Sequence, residues 1–310
     1  MIMRLLALVP GGIEHQLEFF PVLHRIKEGL KVTEMAVVVS PDAKSAYGLS
    51  SVVTEVIPYN FQGANSPADW ANLLGILRDR EYGAVITLTE SWSLGFLLWL
   101  SGIPTRIGYP GGGNGLFLTT ILSHQGDQPY GSLLEALQLS GPLPAAHLSL
   151  AQTDLAAAER LRQQAGLSHG YVAVYPGPTA SGEAYPTDGW VTILQDFQQR
   201  QPELPVVLLQ TPEAVTAIAA IQKSLPNLPV ITPDGLGQLA ALIAGANLVV
   251  AVNSYPLWLA EALQVYAVGL NSDTCPNVPP SGDRLIMLTA SPNRLAEISP
   301  AAVLAKIWDE

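Results

Sequence analysis

The chain is short of charge, of cysteine and of long apolar runs, and each shortage removes a class of function. Asp, Glu, Lys and Arg make up only 13% of the 310 residues, and the acids outnumber the bases to give a formal net charge of -11. Such a surface is unsuited to nucleic acid, whose phosphates call for Lys and Arg. It also argues against simple electrostatic attachment to anionic lipid. Cys275 is the single cysteine, so no internal disulfide can form. It reads as a loop thiol in a reducing compartment. No run approaches the roughly 18 apolar residues that span a bilayer; the segment 94–100 is too short. The start, Met1 to Val9, resembles a signal start, but its apolar run is short and no clear cleavage site follows. It is read as the first strand. The histidines, among them His24, His124, His147 and His169, show no His-x-x-x-His spacing, so no metal site is expected. A Gly-x-Gly-x-x-Gly fingerprint and a Gly-x-Ser-x-Gly elbow are both missing. Neither a nicotinamide cofactor nor a serine hydrolase is supported, and no cofactor is expected.

What is present is apolar residue, 48% of the chain. That richness suits strands covered on both faces. The pattern predicts strands over 3–9, 35–39, 52–58, 84–88 and 105–108, with helices over 14–29, 67–80, 90–101 and 131–139 between or after them. The second half restarts the alternation. Strands are predicted over 171–175, 204–209, 229–231, 248–252, 266–270 and 285–288. Helices are predicted over 154–165, capped by Thr153, then 187–200, 212–225, 236–244 and 300–308. Gly141-Pro142-Leu143-Pro144 reads as a hinge. Strands and helices alternating in both halves give two doubly wound, Rossmann-like α/β domains. Their expected bounds are 1–145 and 146–295, with a C-terminal helix, 296–310, that can pack back on the first. Trp92, Phe96 and Trp99 read as core in preference to a membrane edge or a partner face. Gly111 to Gly115 reads as a mobile loop.

One stretch gathers the functional signal. Leu248 to Val252 is a Val-rich buried strand, Asn253 or Ser254 can cap the helix that follows, and Pro256 suits its first turn. Strand, polar elbow and helix put backbone N–H groups and a helix dipole at the C-terminal edge of a parallel sheet, where phosphate-bearing ligands sit.

The segment Asn253-Ser254-Tyr255-Pro256-Leu257-Trp258-Leu259-Ala260 resembles the Asp-Ser-Gly-x-x-His-Leu-Ala segment of the family 9 glycosyltransferases, the lipopolysaccharide heptosyltransferases and their relatives. The resemblance extends through Pro21, Arg106-Ile107-Gly108-Tyr109, Val174-Tyr175-Pro176-Gly177, Tyr185-Pro186, Trp190 and the block 239–263. It implies the GT-B fold, two Rossmann-like domains facing across a cleft. The first would be the acceptor side and the second the nucleotide-sugar side.

The resemblance also implies where the chemistry lies, and there this chain departs from the pattern. The family's proposed general base is the Asp of a Gly-Asp pair in the first loop; here the position holds Glu14 and His15. His15 can take a proton near neutral pH. Glu18, one turn on, can orient it or act itself. The alternative is a solvated helix start with Glu14 complementing the dipole. The family's diphosphate-binding Lys position holds Glu183, an anion. The preceding loop of Pro176, Gly177, Thr179 and Ser181 retains hydroxyls and some N–H groups for an anion. Asn253 beside Ser254 cannot carry charge. Tyr255 and Trp258 replace a glycine and a histidine, either filling the elbow or making a stacking platform. Arg106 and Tyr109 belong to the acceptor side, where Arg106 serves either an acceptor anion or a structural salt bridge.

Two functions follow. The first is a heptosyltransferase-like enzyme with a divergent and potentially inactive site, moving a sugar from a nucleotide-diphosphate donor to an envelope glycan or lipopolysaccharide. The second is a non-catalytic binding or assembly protein on the same fold, its donor site closed and its partner a protein. Either is expected in the cytoplasm, with peripheral contact at the inner face of the membrane open to it and no transmembrane segment.

Overall fold

The computed structural model describes residues 4–63, 65–123, 130–139, 141–167, 170–179, 182–272, 278–279 and 282–308. Cys275, His124, His169 and Ser181 lie outside them. The chain divides into two compact units, Met1–His147 and Leu148–Glu310.

In the first unit β1 (Arg4–Val9), β2 (Glu34–Val39), β3 (Glu55–Pro58), β4 (Ala84–Thr87), β5 (Thr105–Gly108) and β6 (Thr120–Ile121) form one sheet, ordered β3-β2-β1-β4-β5-β6. All its pairings are parallel. The helices between them are α1 (Ile13–Leu30), α2 (Pro67–Asp79), α3 (Trp92–Leu100) and α4 (Gly131–Ala136), with a 3-10 helix at Pro41–Leu49 and another at Asn114–Phe117. Parallel strands need crossover helices, which cover both sheet faces, so interior strands read as unbroken apolar runs. Leu5 to Leu8 are fully buried and Val37 to Val39 likewise.

The second unit repeats the plan. After α5 (Gln152–Gln164) come β7 (Val172–Tyr175), α6 (Thr187–Arg200), β8 (Val206–Leu209), α7 (Val215–Ser224), β9 (Val230–Ile231), α8 (Leu236–Ala244), β10 (Leu248–Val252), α9 (Tyr255–Ala262), β11 (Ala267–Ser272), β12 (Leu285–Ala290) and α10 (Pro300–Trp308). The sheet order is β12-β11-β10-β7-β8-β9, again all parallel. Each sheet reverses direction of winding at its first strand, so the loops after β1 and β4, and after β7 and β10, meet at a switch point.

Several local expectations are corrected. Thr153 sits inside the first turn of α5; Ala151 holds the N-cap position and offers no side-chain cap. Ser66 does cap α2, in a reciprocal box with Asp69. The glycine loop at 111–115 leads straight into a 3-10 helix. Asn114, 1% exposed, ties it down by donating to the Thr89 and Tyr109 carbonyls at 3.1 and 3.4 Å. Helix α3 is apolar all round. Leu94, Leu97 and Leu98 take its inward face. Trp92 and Trp99 are left 55% and 51% exposed, contrary to their reading as core.

The final helix, α10, packs within the second unit. Its Trp308 ring meets Phe197 of α6 at 5.0 Å, lies under the Arg200 guanidinium at 5.6 Å, and donates Nε1–H to Asp196 at 2.8 Å. Truncating a half-buried aromatic that also holds a hydrogen bond costs roughly 1–3 kcal/mol. Trp308→Ala is therefore expected to lower the denaturant midpoint of the second unit's transition and to speed amide exchange in α6 and α10. Exchange unchanged in both helices would show that α10 contributes nothing there.

Candidate functional site

In the first unit the switch-point loop is Val9 to Gly12. Gly11 has φ +103°, and a Cβ there would lie 2.7 Å from His15 Cγ, so only glycine lets His15 lie over the loop. Gly12 takes the N-cap position of α1. Gln16 fixes the turn from inside. It is fully buried; its Nε2 donates to the carbonyls of Val9, Gly11 and Gly12 at 3.2, 3.3 and 3.4 Å, and its Oε1 accepts the Tyr47 hydroxyl at 2.8 Å.

This rigid start aims three candidate bases differently. Glu14 lies in the first turn, its carboxylate close to Gly12. His15 is exposed. Glu18 is half-buried, and Tyr130 donates a hydrogen bond to its carboxylate. Burial raises the Glu18 pKa above the ordinary carboxylate value, and the Tyr130 hydrogen bond only partly offsets this. The Tyr130 hydroxyl is pushed up too, by burial first and then by the charge of Glu18. Tyr130 is held edge-on against Phe19 at 5.1 Å and occupies φ +62°, a backbone conformation costly for an aromatic residue. Next to it Ser132 Oγ donates to the Tyr109 hydroxyl at 3.4 Å. The structure thus brings Glu18 and Tyr109 together with Tyr130 and Ser132. It does not bring in His15.

Arg106 serves a different purpose. Its Nε donates to the Phe117 carbonyl at 2.6 Å, one terminal nitrogen donates to the Ile103 carbonyl, and its backbone N–H meets Thr119 Oγ1 at 2.8 Å. The guanidinium clamps the 3-10 helix to β5. Among the described residues Arg106 forms no salt bridge; its guanidinium meets carbonyls instead.

In the second unit the residues expected from sequence to meet an anion are turned to internal partners. The Glu183 carboxylate accepts the Leu295 N–H at 2.5 Å, at the start of the 3-10 helix Leu295–Glu297. Its backbone is closed on Thr179: Thr179 N–H donates to the Glu183 carbonyl at 2.7 Å, and Glu183 N–H to Thr179 Oγ1 at 3.0 Å. Tyr185 holds the same segment through the Ile298 carbonyl at 2.7 Å. Pro176 and Gly177 are buried, and a Cβ at Gly177 would come within 2.4 Å of the Tyr175 ring.

The elbow after β10 is equally occupied. Asn253, 1% exposed, donates Nδ2–H to Asn271 Oδ1 at 3.0 Å. Ser254 is the N-cap of α9, with φ −156°, but no side-chain cap bond forms. Pro256 removes one of the free N–H groups of the first turn. The Tyr255 hydroxyl donates to Glu213 Oε2 at 3.2 Å, and Thr211 Oγ1 donates to the same oxygen at 2.7 Å. The Tyr175 and Tyr255 rings lie 6.1 Å apart. Burial, then the Tyr175 and Glu213 charges, raise the Tyr255 pKa. Trp258 is 6% exposed, its indole nitrogen buried without a hydrogen-bond partner among the described residues. The elbow is therefore filled at Trp258, whereas Tyr255 stays half-exposed.

Tyr130, Ser132 and Gln16 on one side, and Thr211 and Glu213 on the other, were not singled out by sequence, and Tyr175 stood in a motif without a role. Their partners lie far along the chain and share no motif, although Gln16 is adjacent to His15. Among the described residues no group of three or more His, Cys, Asp or Glu is placed to hold a metal.

The Glu183 contact gives a direct test. Loss of a side-chain cap costs about 1 kcal/mol. Glu183→Ala should lower the second unit's stability by that amount, while Glu183→Gln, which keeps an acceptor oxygen, should lose much less. Equal losses, or none, measured by chemical denaturation, would remove the capping role.

The family model of glycosyltransferase family 9 (heptosyltransferase) matches residues 70–301. No curated protein sequence matches the chain. A glycosyltransferase of family 9 from Veillonella parvula superposes with a TM-score of 0.87 at 16% identity, covering 99% of this chain and 96% of that one. E. coli ADP-heptose lps heptosyltransferase II superposes at 0.80, with 18% identity and 99% and 98% coverage. E. coli heptosyltransferase WaaC, solved with ADP-2-deoxy-2-fluoro heptose, superposes at 0.75, with 18% identity and 99% of each chain covered. At these identities the structural likeness establishes the GT-B fold. With a family model matching most of its length, and two parallel six-stranded sheets of one plan, the chain belongs to glycosyltransferase family 9, the heptosyltransferase family.

Proposed function

We propose that the protein is a heptosyltransferase-like glycosyltransferase with an altered donor side, moving a sugar from a nucleotide-diphosphate donor to an envelope glycan acceptor. The observation that carries this reading is the Glu18–Tyr130 pair at the switch point of the first unit. Glu18 is the candidate general base. Its carboxylate would take the proton of an acceptor hydroxyl as that oxygen bonds to the sugar's anomeric carbon. The bond from that carbon to the diphosphate would break, and the nucleotide diphosphate would leave with the electron pair. A base of raised pKa holds a proton better once it has taken it. Tyr109 and Ser132 offer hydroxyls for the acceptor. Donor phosphates would be met by backbone N–H groups and the hydroxyls of Thr179 and Ser181, with the Tyr255 ring as a platform for the base or sugar. The heptosyltransferase solved with an ADP-heptose analogue makes ADP-sugars the first donors to try. This reading is of a cytoplasmic protein acting at the inner face of the membrane.

A second reading is favoured by the filled elbow: Glu183, Tyr255 and Trp258 occupy space and charge that a diphosphate would need. It is the non-catalytic binding or assembly protein, with a protein partner.

The test is nucleotide release from ADP- and UDP-sugars offered with glycan acceptors. Glu18→Gln should reduce turnover by ~10²–10⁴-fold. Because Glu18 acts when ionised and its pKa is raised, wild-type turnover should climb with pH at values above the usual carboxylate range. The same shift has a stability consequence. A carboxyl with a raised folded-state pKa contributes most below its unfolded pKa, and that contribution is lost as pH rises through the folded value. Thermal melts should show wild type losing stability relative to Glu18→Gln over that window. Turnover and pH profile unaltered by Glu18→Gln would dismiss Glu18 as the base; no turnover with any donor would favour the binding protein.

A further inference from the structure

We propose that the face built from α3, the 3-10 helix Asn114–Phe117 and β6 inserts into the interfacial layer of a lipid bilayer, and does so without electrostatic attraction. Phe96 is its hub. Its ring stacks on Trp99 at 5.8 Å and contacts Trp92 at 6.1 Å, Phe117 at 5.6 Å and Trp70 at 6.3 Å. The contacts join α2, α3 and the 3-10 helix into one surface. Leu116 is 87% exposed and Ile121 58%; a Cβ built on Gly115 would lie 3.7 Å from Ile121. The four most exposed side chains, Trp92, Trp99, Leu116 and Ile121, together present on the order of 500 Å² of mostly apolar surface.

Charge is sparse on this face: the exposed Arg78 of α2 reaches its edge, donating to the Leu100 carbonyl at 3.3 and 2.9 Å. From Ser91 to Gly126 the only Asp, Glu, Lys or Arg is Arg106, in a chain of net charge -11. Arg106 is itself turned inward onto the Phe117 and Ile103 carbonyls. Glu90, two residues before α3, is the nearest acid along the chain, and its carboxylate lies against Gly111 at the rim of the face. A chain this acidic is repelled by anionic lipid wherever its own carboxylates approach the surface, so a face cleared of acids is the one that can approach. Tryptophans with an apolar body and a polar N–H are the side chains that settle at the boundary between headgroups and acyl chains. A second copy of the chain is the weaker occupant. Roughly 500 Å² per protomer falls short of the ~800 Å² per partner of a standard protein interface. No helix among the described residues is long and apolar enough to cross a membrane, so the contact would be peripheral.

The full chain should co-sediment with phosphatidylcholine vesicles, to a degree that about 0.5 M salt leaves unchanged, since that salt shortens the Debye length to a few Å. Brominated phosphatidylcholine should quench its tryptophan fluorescence. Trp92→Ser combined with Trp99→Ser should weaken partitioning at least ~10-fold. Leu116→Ser, at a side chain outside the core, should weaken it in the same direction and guards against a folding defect, which thermal melts would reveal. Partitioning that appears only with phosphatidylglycerol and vanishes in salt would overturn the proposal. So would partitioning unaffected by all three substitutions, or absent altogether, including the case in which sedimentation shows a dimer that the Trp substitutions dissociate. The assay contains no sugar donor, so its failure leaves the catalytic reading standing.

Discussion

The structure depends on one constraint: both faces of each parallel sheet are covered, so polar work is confined to the ends of the strands. Strands such as β1, β4, β7 and β10 are buried almost throughout. A charged or hydrogen-bonding side chain inside them would need a buried partner and would cost several kcal/mol without one. The loops after β1, β7 and β10 escape that cost because helix N-termini and solvent meet them there. Every candidate functional residue of this chain belongs to such a loop, to the helix turn that follows it, or to an element packed against it.

The two units meet the constraint in opposite ways. In the first, Gln16 satisfies three carbonyls of the loop from within and leaves the outward positions to Glu18 and Tyr130. The carboxyl there is half-buried, has a tyrosine partner, and is pushed toward holding its proton. In the second, one oxygen of each carboxylate is taken by the protein itself, while the other oxygen of Glu183 is buried without a partner among the described residues. Glu183 holds the N–H of Leu295, and Glu213 gathers the hydroxyls of Thr211 and Tyr255. Hydrogen bonds to a charged group are worth more than those between neutral groups, so these contacts resist exchange for a ligand. The same residue type therefore reads as chemistry in one unit and as architecture in the other, and the hydrogen-bond partner decides which.

Much of the fold was legible because covered parallel strands leave an unambiguous trace. Val249 to Val252, Val37 to Val39 and Leu5 to Val9 are continuous apolar runs, and α1, α2 and α8 begin at the readable signals Gly11-Gly12, Ser66-Pro67 and Gly235. What escaped was short or dependent on distant packing. The two-residue strand β6 has no pattern to detect. Trp92 and Trp99 looked like core because apolarity says nothing about which side of a helix the sheet will take. At the sites, motif comparison located Glu183, Tyr255 and Trp258 but could not tell that the first caps a 3-10 turn and the last is buried. Glu18 was visible as one candidate base among three; only its burial and Tyr130, at a distant point of the chain, distinguish it. Arg106 kept the family's position yet faces carbonyls.

In the second unit, internal partners occupy the residues that the family resemblance assigns to the donor diphosphate. Calorimetric titration with ADP and UDP tests it most directly, on the wild-type chain and on a double variant, Tyr255→Gly with Glu183→Lys. The substitutions remove a side chain from the elbow and replace a like charge with an opposite one, a change worth at least ~1.4 kcal/mol or tenfold in affinity. Weak binding by the wild type and binding at least ~10-fold tighter by the variant are expected. Binding by the wild type that is equal to or tighter than the variant's, with the variant folded, would contradict that occupancy.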